Sequence, residues 1–227
     1  MKMKYILPIS LVILVGLAVF VSAWTSEYGA PIYKGWNLVY GFMSPDQFEG
    51  QGFDGTHIKA VYALDPETQG YVRFYPNPDT SKFPSQMNEN DQIQNMAFWV
   101  YSDSETKETF NGIYNAVEYW LYESFIPYNE RQLYKGWNFL GITHDMVVDV
   151  NSATPEEEAK YTLDAMKGNC NIEKAYGFDS SSQNWVSFPL TEELDKSVTG
   201  SGLAIKVSNN CKLGTSEGTI TPPPSLP

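Results

Sequence analysis

The sequence has little of what catalysis, metal binding and polyanion binding require. Histidine occurs twice, as His57 and His144, and cysteine twice, as Cys170 and Cys211. A Ser-His-Asp enzyme would have to be built on one of those two histidines, with a nucleophile and an orienting acid in reach. His144 beside Asp145 reads more simply as a polar strand end. There is no Cys-x-x-Cys for zinc and no glycine-rich phosphate loop, and the acidic loops lack the ordered spacing of a calcium site. No catalytic residue, metal or cofactor is therefore expected. Basic residues are scarce too: 15 Lys and Arg against 27 Asp and Glu give a net charge of −12 with no basic run. Such a surface repels phosphate backbones, which excludes nucleic acid as a partner.

Long apolar stretches are also few, and the clearest lies at the N-terminus. Lys2 and Lys4 precede an apolar stretch from Tyr5 to Val21, broken only by Pro8, Ser10 and Gly16, and Val21-Ser22-Ala23 ends in small residues. Residues 1–23 are read as lying outside the fold, either as a cleaved signal peptide or as an uncleaved membrane anchor with Trp24 at the interface. Both readings export the rest of the chain to the cell surface or beyond. Outside the cytoplasm the two cysteines read as one disulfide, Cys170–Cys211.

Against these absences stands an internal duplication. Tyr33-Lys34-Gly35-Trp36-Asn37 recurs unchanged as Tyr134-Lys135-Gly136-Trp137-Asn138. Ile58–Asp65 lines up without a gap with Ile172–Asp179, and in the same register Gln69–Phe74 meets Gln183–Phe188. More loosely, Ala97-Phe98-Trp99-Val100 corresponds to Gly202-Leu203-Ala204-Ile205. Four blocks in one order argue for two copies of a single unit.

Each copy is rich in β-formers bounded by Gly, Asn, Asp and Ser, which predicts short strands. They are placed at 36–42, 58–64, 71–75 and 97–101, and at 172–178, 185–188 and 203–207, with hairpin turns opening at Asp65 and Asp179. Residues 24–32 read as a connector. Ser44-Pro45-Asp46-Gln47 predicts a helical turn, and Thr154-Pro155-Glu156-Glu157 a capping box opening a helix that Gly168 closes. Residues 103–126 fit a helical face and a strand equally, with the lean towards a strand at 116–122. Residues 214–227 form a Pro-rich tail without material for a core. The expected fold class is mainly β with minor α. Two tandem small antiparallel β-sandwich or barrel-like repeats span 24–126 and 127–213, each with a short helix after its first strand, preceded by the N-terminal hydrophobic helix.

Aromatic residues make up 15% of the chain, and the duplication pairs many of them, so core and ligand roles have to be apportioned. Trp36 and Trp137, Tyr62 and Tyr176, Tyr71 and Trp185, and Phe74 and Phe188 are assigned to the core, because small domains draw most of their buried area from large rings. Trp99, Tyr101, Tyr119 and Trp120 are the candidates for a ligand face.

Lys34-Gly35-Trp36-Asn37-Leu38-Val39 and Lys135-Gly136-Trp137-Asn138-Phe139-Leu140 resemble the Gly-Trp-Asn-Leu opening of β-rich repeats in archaeal and bacterial secreted and surface-layer-associated proteins. Ala97-Phe98-Trp99-Val100 is similar to the closing strand of those repeats, whereas Gly202-Leu203-Ala204-Ile205 has lost the Trp. The resemblance implies a β-rich surface repeat and carries no activity. The expectation is an exported, non-catalytic structural or interaction protein whose partner is a surface protein or a glycan. Carbohydrate binding through exposed aromatics is the alternative, and a glycoside-active enzyme a distant third.

Overall fold

A computed structural model describes residues 31–40, 53–79, 81, 96–109, 128–147 and 161–214. The leader at 1–23, the turn at 44–47, the capping box at 154–157, the strand at 116–122 with Tyr119 and Trp120, and the tail from 215 onward lie outside the described residues.

The first half carries β1 (Pro31–Ile32), β2 (Gly35–Tyr40), β3 (Ile58–Asp65), β4 (Gly70–Tyr75), β5 (Ala97–Ser102) and β6 (Thr106–Thr109). The second carries β7 (Gln132–Leu133), β8 (Gly136–Gly141), the helix α1 (Leu163–Met166), β9 (Ile172–Asp179), β10 (Asn184–Ser187), β11 (Gly202–Val207) and β12 (Cys211–Lys212). The protein is mainly β. Among the described residues the strands pair antiparallel, in four-stranded sheets β2-β5-β3-β4 and β8-β11-β9-β10 and in two-stranded ribbons β1-β6 and β7-β12. Strand order is the same in both halves, and so is the register at matched positions. Trp36 faces Tyr101 across β2 and β5, and Trp137 faces Lys206 across β8 and β11.

The shared motif has a local reason for each half. Asn37 is buried, accepts the Tyr33 N–H at 2.9 Å and donates to the carbonyls of Tyr33 and Gly35. Asn138 does the same for Tyr134 and Gly136. A side-chain amide thus satisfies the backbone of the turn that launches the first long strand, which a buried strand start requires. The hairpins are closed by their aspartates. Asp65 accepts the Glu67 N–H and the Thr68 hydroxyl, and Asp179 accepts the Ser181 N–H and both serine hydroxyls.

Each four-stranded sheet buries residues on both of its faces. On one face Val39, Val61, Ala63, Val72, Phe74, Phe98 and Val100 make the core of the first half, and Leu140, Ala175, Leu203, Ile205 and Val207 join α1 in the core of the second. The opposite faces meet each other through Leu38, Leu64 and Ala97 from one sheet and Phe139 and Ala204 from the other. Burial on both sides explains why Asn37–Tyr40 and Asn138–Gly141 are buried without alternation, although successive strand side chains point to opposite faces. In the second half Arg131 and Asp145, only 3% and 6% exposed, form an ion pair at 3.2 Å. Asp145 also accepts the Tyr128 N–H at 2.7 Å, so one carboxylate joins the turn at 128–130 to the loop after β8.

Several expectations are corrected. The helix expected from 154 to 168 is confined, within the described residues, to Leu163–Met166. Its cap is Thr162, extended at φ −108° and ψ 157°, whose hydroxyl accepts the Ala165 N–H and whose backbone bridges Glu193. Residues 31–32, read as connector, are the strand β1, because β6 offers them an edge. Each half holds one four-stranded sheet, and the face-to-face packing of sheets is made between the halves. Cys170 and Cys211 form the expected disulfide, with Cα atoms 5.0 Å apart.

Candidate functional site

The seam between the two sheets is where the sequence motifs converge. Gln69 and Gln183 sit at the last turn position of their hairpins, both with φ of 57°. Each reaches across to the other half. Gln183 Oε1 accepts the Trp36 N–H at 2.8 Å, and its Nε2 donates to the Trp36 carbonyl at 2.8 Å. Gln69 does the same to Trp137, at 2.7 and 3.0 Å. One amide therefore pairs with both backbone groups of a strand residue, as a neighbouring strand would. Gly35 (φ +101°) and Gly136 (φ +107°) make room for it, since a Cβ there would stand 2.6 Å from the incoming amide. The Gly-Trp-Asn opening is thus a receptor for the glutamine of the opposite hairpin.

Nearer the middle of the seam Val39 bridges Ser201 and Met96 bridges Leu140, again at matched positions, and Tyr40 donates its N–H to the Gly200 carbonyl at 2.8 Å. Gly141 packs directly on the ring of Tyr40, and Gly202 on Ala97 and Leu38, with no space for a Cβ.

At its margins the seam is aromatic and open. Trp36 contacts Tyr62 at 6.2 Å, Trp99 at 5.9 Å and Tyr101 at 5.2 Å between ring centroids. Trp99 continues the series to Phe178 at 4.7 Å and to Trp185 at 5.3 Å, so rings from both halves form one connected surface. Trp36 is 37% exposed, Trp185 46% and Tyr71 57%, while Trp99, Tyr101, Tyr62, Trp137 and Tyr176 are half-buried. The assignment of Trp36 to the core is corrected: it does pack on Tyr62, but on the seam face, where the opposite sheet leaves it uncovered. Trp137 packs on Tyr176 at 6.1 Å in the same way and is half-buried. Phe74 is a core residue, fully buried against Phe98, and Phe188 packs half-buried on the core of the second half. Of the four residues expected to face a ligand, Trp99 and Tyr101 stand together on this surface, and Tyr119 and Trp120 lie outside the described residues. The assignment of Tyr71 and Trp185 to the core is corrected too: both are exposed and belong to the surface. Their signal was present in the duplication, which pairs them on the outermost strand of each sheet.

Elsewhere the polar groups close structure rather than open a site. His57, Lys59 and Asp103 form an exposed cluster, with His57 Nδ1 3.0 Å and Lys59 Nζ 3.4 Å from the carboxylate. The hydrogen bond from His57 is the largest of the effects that hold Asp103 below the usual carboxylate range. Asp179 is lowered to about 2, chiefly by the Ser182 and Ser181 hydroxyls. The backbone of His144 enters a 3-10 turn. Among the described residues no group of three acidic, His or Cys side chains could hold a metal ion, and no helix is long and apolar enough to cross a membrane. Gly214-Thr215-Ser216-Glu217-Gly218 spells a Gly-x-Ser-x-Gly, but it follows the two-residue strand β12 and its serine lies outside the described residues. Comparison with family models, with curated proteins and with solved structures finds no match.

Proposed function

We propose that this chain is an exported, non-catalytic recognition protein of the cell surface. It is built as a duplicated β-domain of the Gly-Trp-Asn-Leu type, with its two copies folded onto one another. The observation that carries the reading is the aromatic surface at the seam. Trp36 and Trp185 are both exposed and flank the half-buried Trp99 at 5.9 and 5.3 Å, and Tyr71, matched to Trp185, is exposed against Phe139. Exposed rings grouped together on a chain with ample core positions mark a contact surface. The disulfide supports an oxidising compartment, and with it the reading of residues 1–23 as a signal peptide or anchor.

Carbohydrate is the ligand class this surface favours over a protein partner. Flat rings with hydroxyl and amide neighbours suit sugar rings, which present an apolar face and a polar edge. The test is retention of the exported protein on insoluble polysaccharide, compared with a Tyr71→Ala, Trp185→Ala double variant. Loss of retention at an unchanged unfolding midpoint supports the reading. Equal retention of the variant refutes it.

A further inference from the structure

Duplication gives each half the same framework, yet only one side of the seam carries an indole at its centre. We infer that the chain holds a single composite binding platform for a neutral glycan, made by Trp36, Trp99 and Tyr101 of the first half with Trp185 of the second. This rests on the carbohydrate reading above and adds where the site is, how many there are and which glycans fit.

The location follows from the seam's broken symmetry. Trp99 is the central ring, 5.9 Å from Trp36 on one side and 5.3 Å from Trp185 on the other, so two exposed indoles flank a half-buried one. The matched positions of Trp99 and Tyr101 in the second half are Ala204 and Lys206. Ala204 is buried and carries no ring, and Lys206 is drawn off into an ion pair with Glu173 at 2.9 Å. Trp137 meets Tyr176 and Tyr71 meets Phe139, each at 6.1 Å, but no indole stands at the Trp99 position to join Trp137 to Tyr71. The second side keeps the framework and lacks the platform.

The row of indoles is also held rigid. Gln183 pins the backbone of Trp36 from the opposite hairpin, and Trp185 follows it by two residues on that hairpin. One side chain therefore fixes the spacing of two exposed indoles that belong to different halves. Rings held in place before the ligand arrives lose little freedom on binding. The ligand's charge class follows from the protein's. The platform residues are uncharged and the chain carries −12, so uronate, sulfate or phosphate groups would be repelled while a neutral chain approaches without cost.

Isothermal titration of the full exported protein with cellohexaose and chitohexaose, and with polygalacturonate oligomers as the acidic control, tests this. The expected result is one site per chain for a neutral hexasaccharide and none for the acidic one. Trp36→Ala and Trp185→Ala, each checked for folding by circular dichroism, should weaken binding about tenfold or more. Trp137→Ala should leave it within about twofold of the parent. Should Trp36→Ala fail to fold, Trp185→Ala, exposed on an outer strand, still decides. Two sites per chain, or dependence on Trp137 instead of Trp36, would overturn the composite platform while leaving carbohydrate binding intact. Binding of the acidic oligomer would overturn the charge argument. No binding of any of the three overturns the platform; retention on polysaccharide that also survives the double variant overturns the wider reading.

Discussion

Replacing Gln183 with alanine isolates the device that joins the two halves. The amide makes two hydrogen bonds to the backbone of Trp36, both at 2.8 Å, and a third to its own turn at the Ser180 carbonyl at 2.6 Å. A hydrogen bond contributes about 0.5–1.5 kcal/mol net, and the Trp36 backbone is exposed enough for water to replace the lost partner. The two cross-seam bonds together should therefore be worth about 1–3 kcal/mol. For a protein of this size that is a fall of about 2–12 °C in the unfolding midpoint. Gln183→Gly separates the contributions, because glycine accepts the φ of 57° without strain but cannot reach across. It should be less destabilised than the alanine variant and equally loose at the seam. Amide hydrogen exchange gives the decisive reading. The Trp36 amide should lose protection in both variants while the amides of β3 and β5 keep theirs. An unchanged exchange rate at Trp36, with a midpoint within 1 °C of the parent or about that, would refute the clamp.

Gln69→Ala should mirror this at Trp137, through bonds of 2.7 and 3.0 Å. Reducing Cys170–Cys211, or replacing both with serine, releases residues 41 apart and should cost the second half about 4 kcal/mol, read as an earlier loss of α1 and β12 protection on heating. Asp179 has a carboxyl lowered from 3.8 to about 2 by the Ser181 and Ser182 hydroxyls and amides. A depressed folded value stabilises fully above the unfolded one, so this contribution is present above about pH 4 and is lost as pH falls through about 2. Exchange at Trp36 should accelerate over that window in the parent and show no such acid step in Asp179→Asn. Arg131→Ala leaves the Asp145 carboxylate buried without its cation and should destabilise by about 3–5 kcal/mol, measured by urea unfolding. A loss under about 1 kcal/mol would mean that the pair is dispensable.

The strands were legible because turn residues bracket them closely. Asp65 and Asp179 close their hairpins through the backbone contacts expected of that residue type, and β3, β4, β9 and β10 fall within a residue or two of their expected limits. Within the described residues the helix before β9 starts only at Leu163, because Thr162 is held extended by its bridge to Glu193, a contact invisible in local sequence. Trp36 and Trp137 read as core from ring size, from their place on the first strand after a glycine and from their retention in both copies. Their exposure depends on where the opposite sheet stops, which is a property of how the halves meet. The glutamines recur in the duplication, but an exposed Gln in a turn has no local signature of a partner some 147 or 68 residues away. Only the positive φ of the facing glycines betrays the approach.

The packing of Tyr40 on Gly141 and of Ala97 on Gly202 has a consequence for how such a chain assembles. These are matched positions, so each residue meets its own counterpart at the centre of the seam. Two identical first halves brought together in the same way would set Tyr40 against Tyr40, where no space for a second ring exists. Two identical second halves would set glycine against glycine and leave a hole. The seam is keyed, large against absent, and each half fits the other better than it fits itself. That mismatch directs every first half to a second half, and the covalent link makes the nearest one its own.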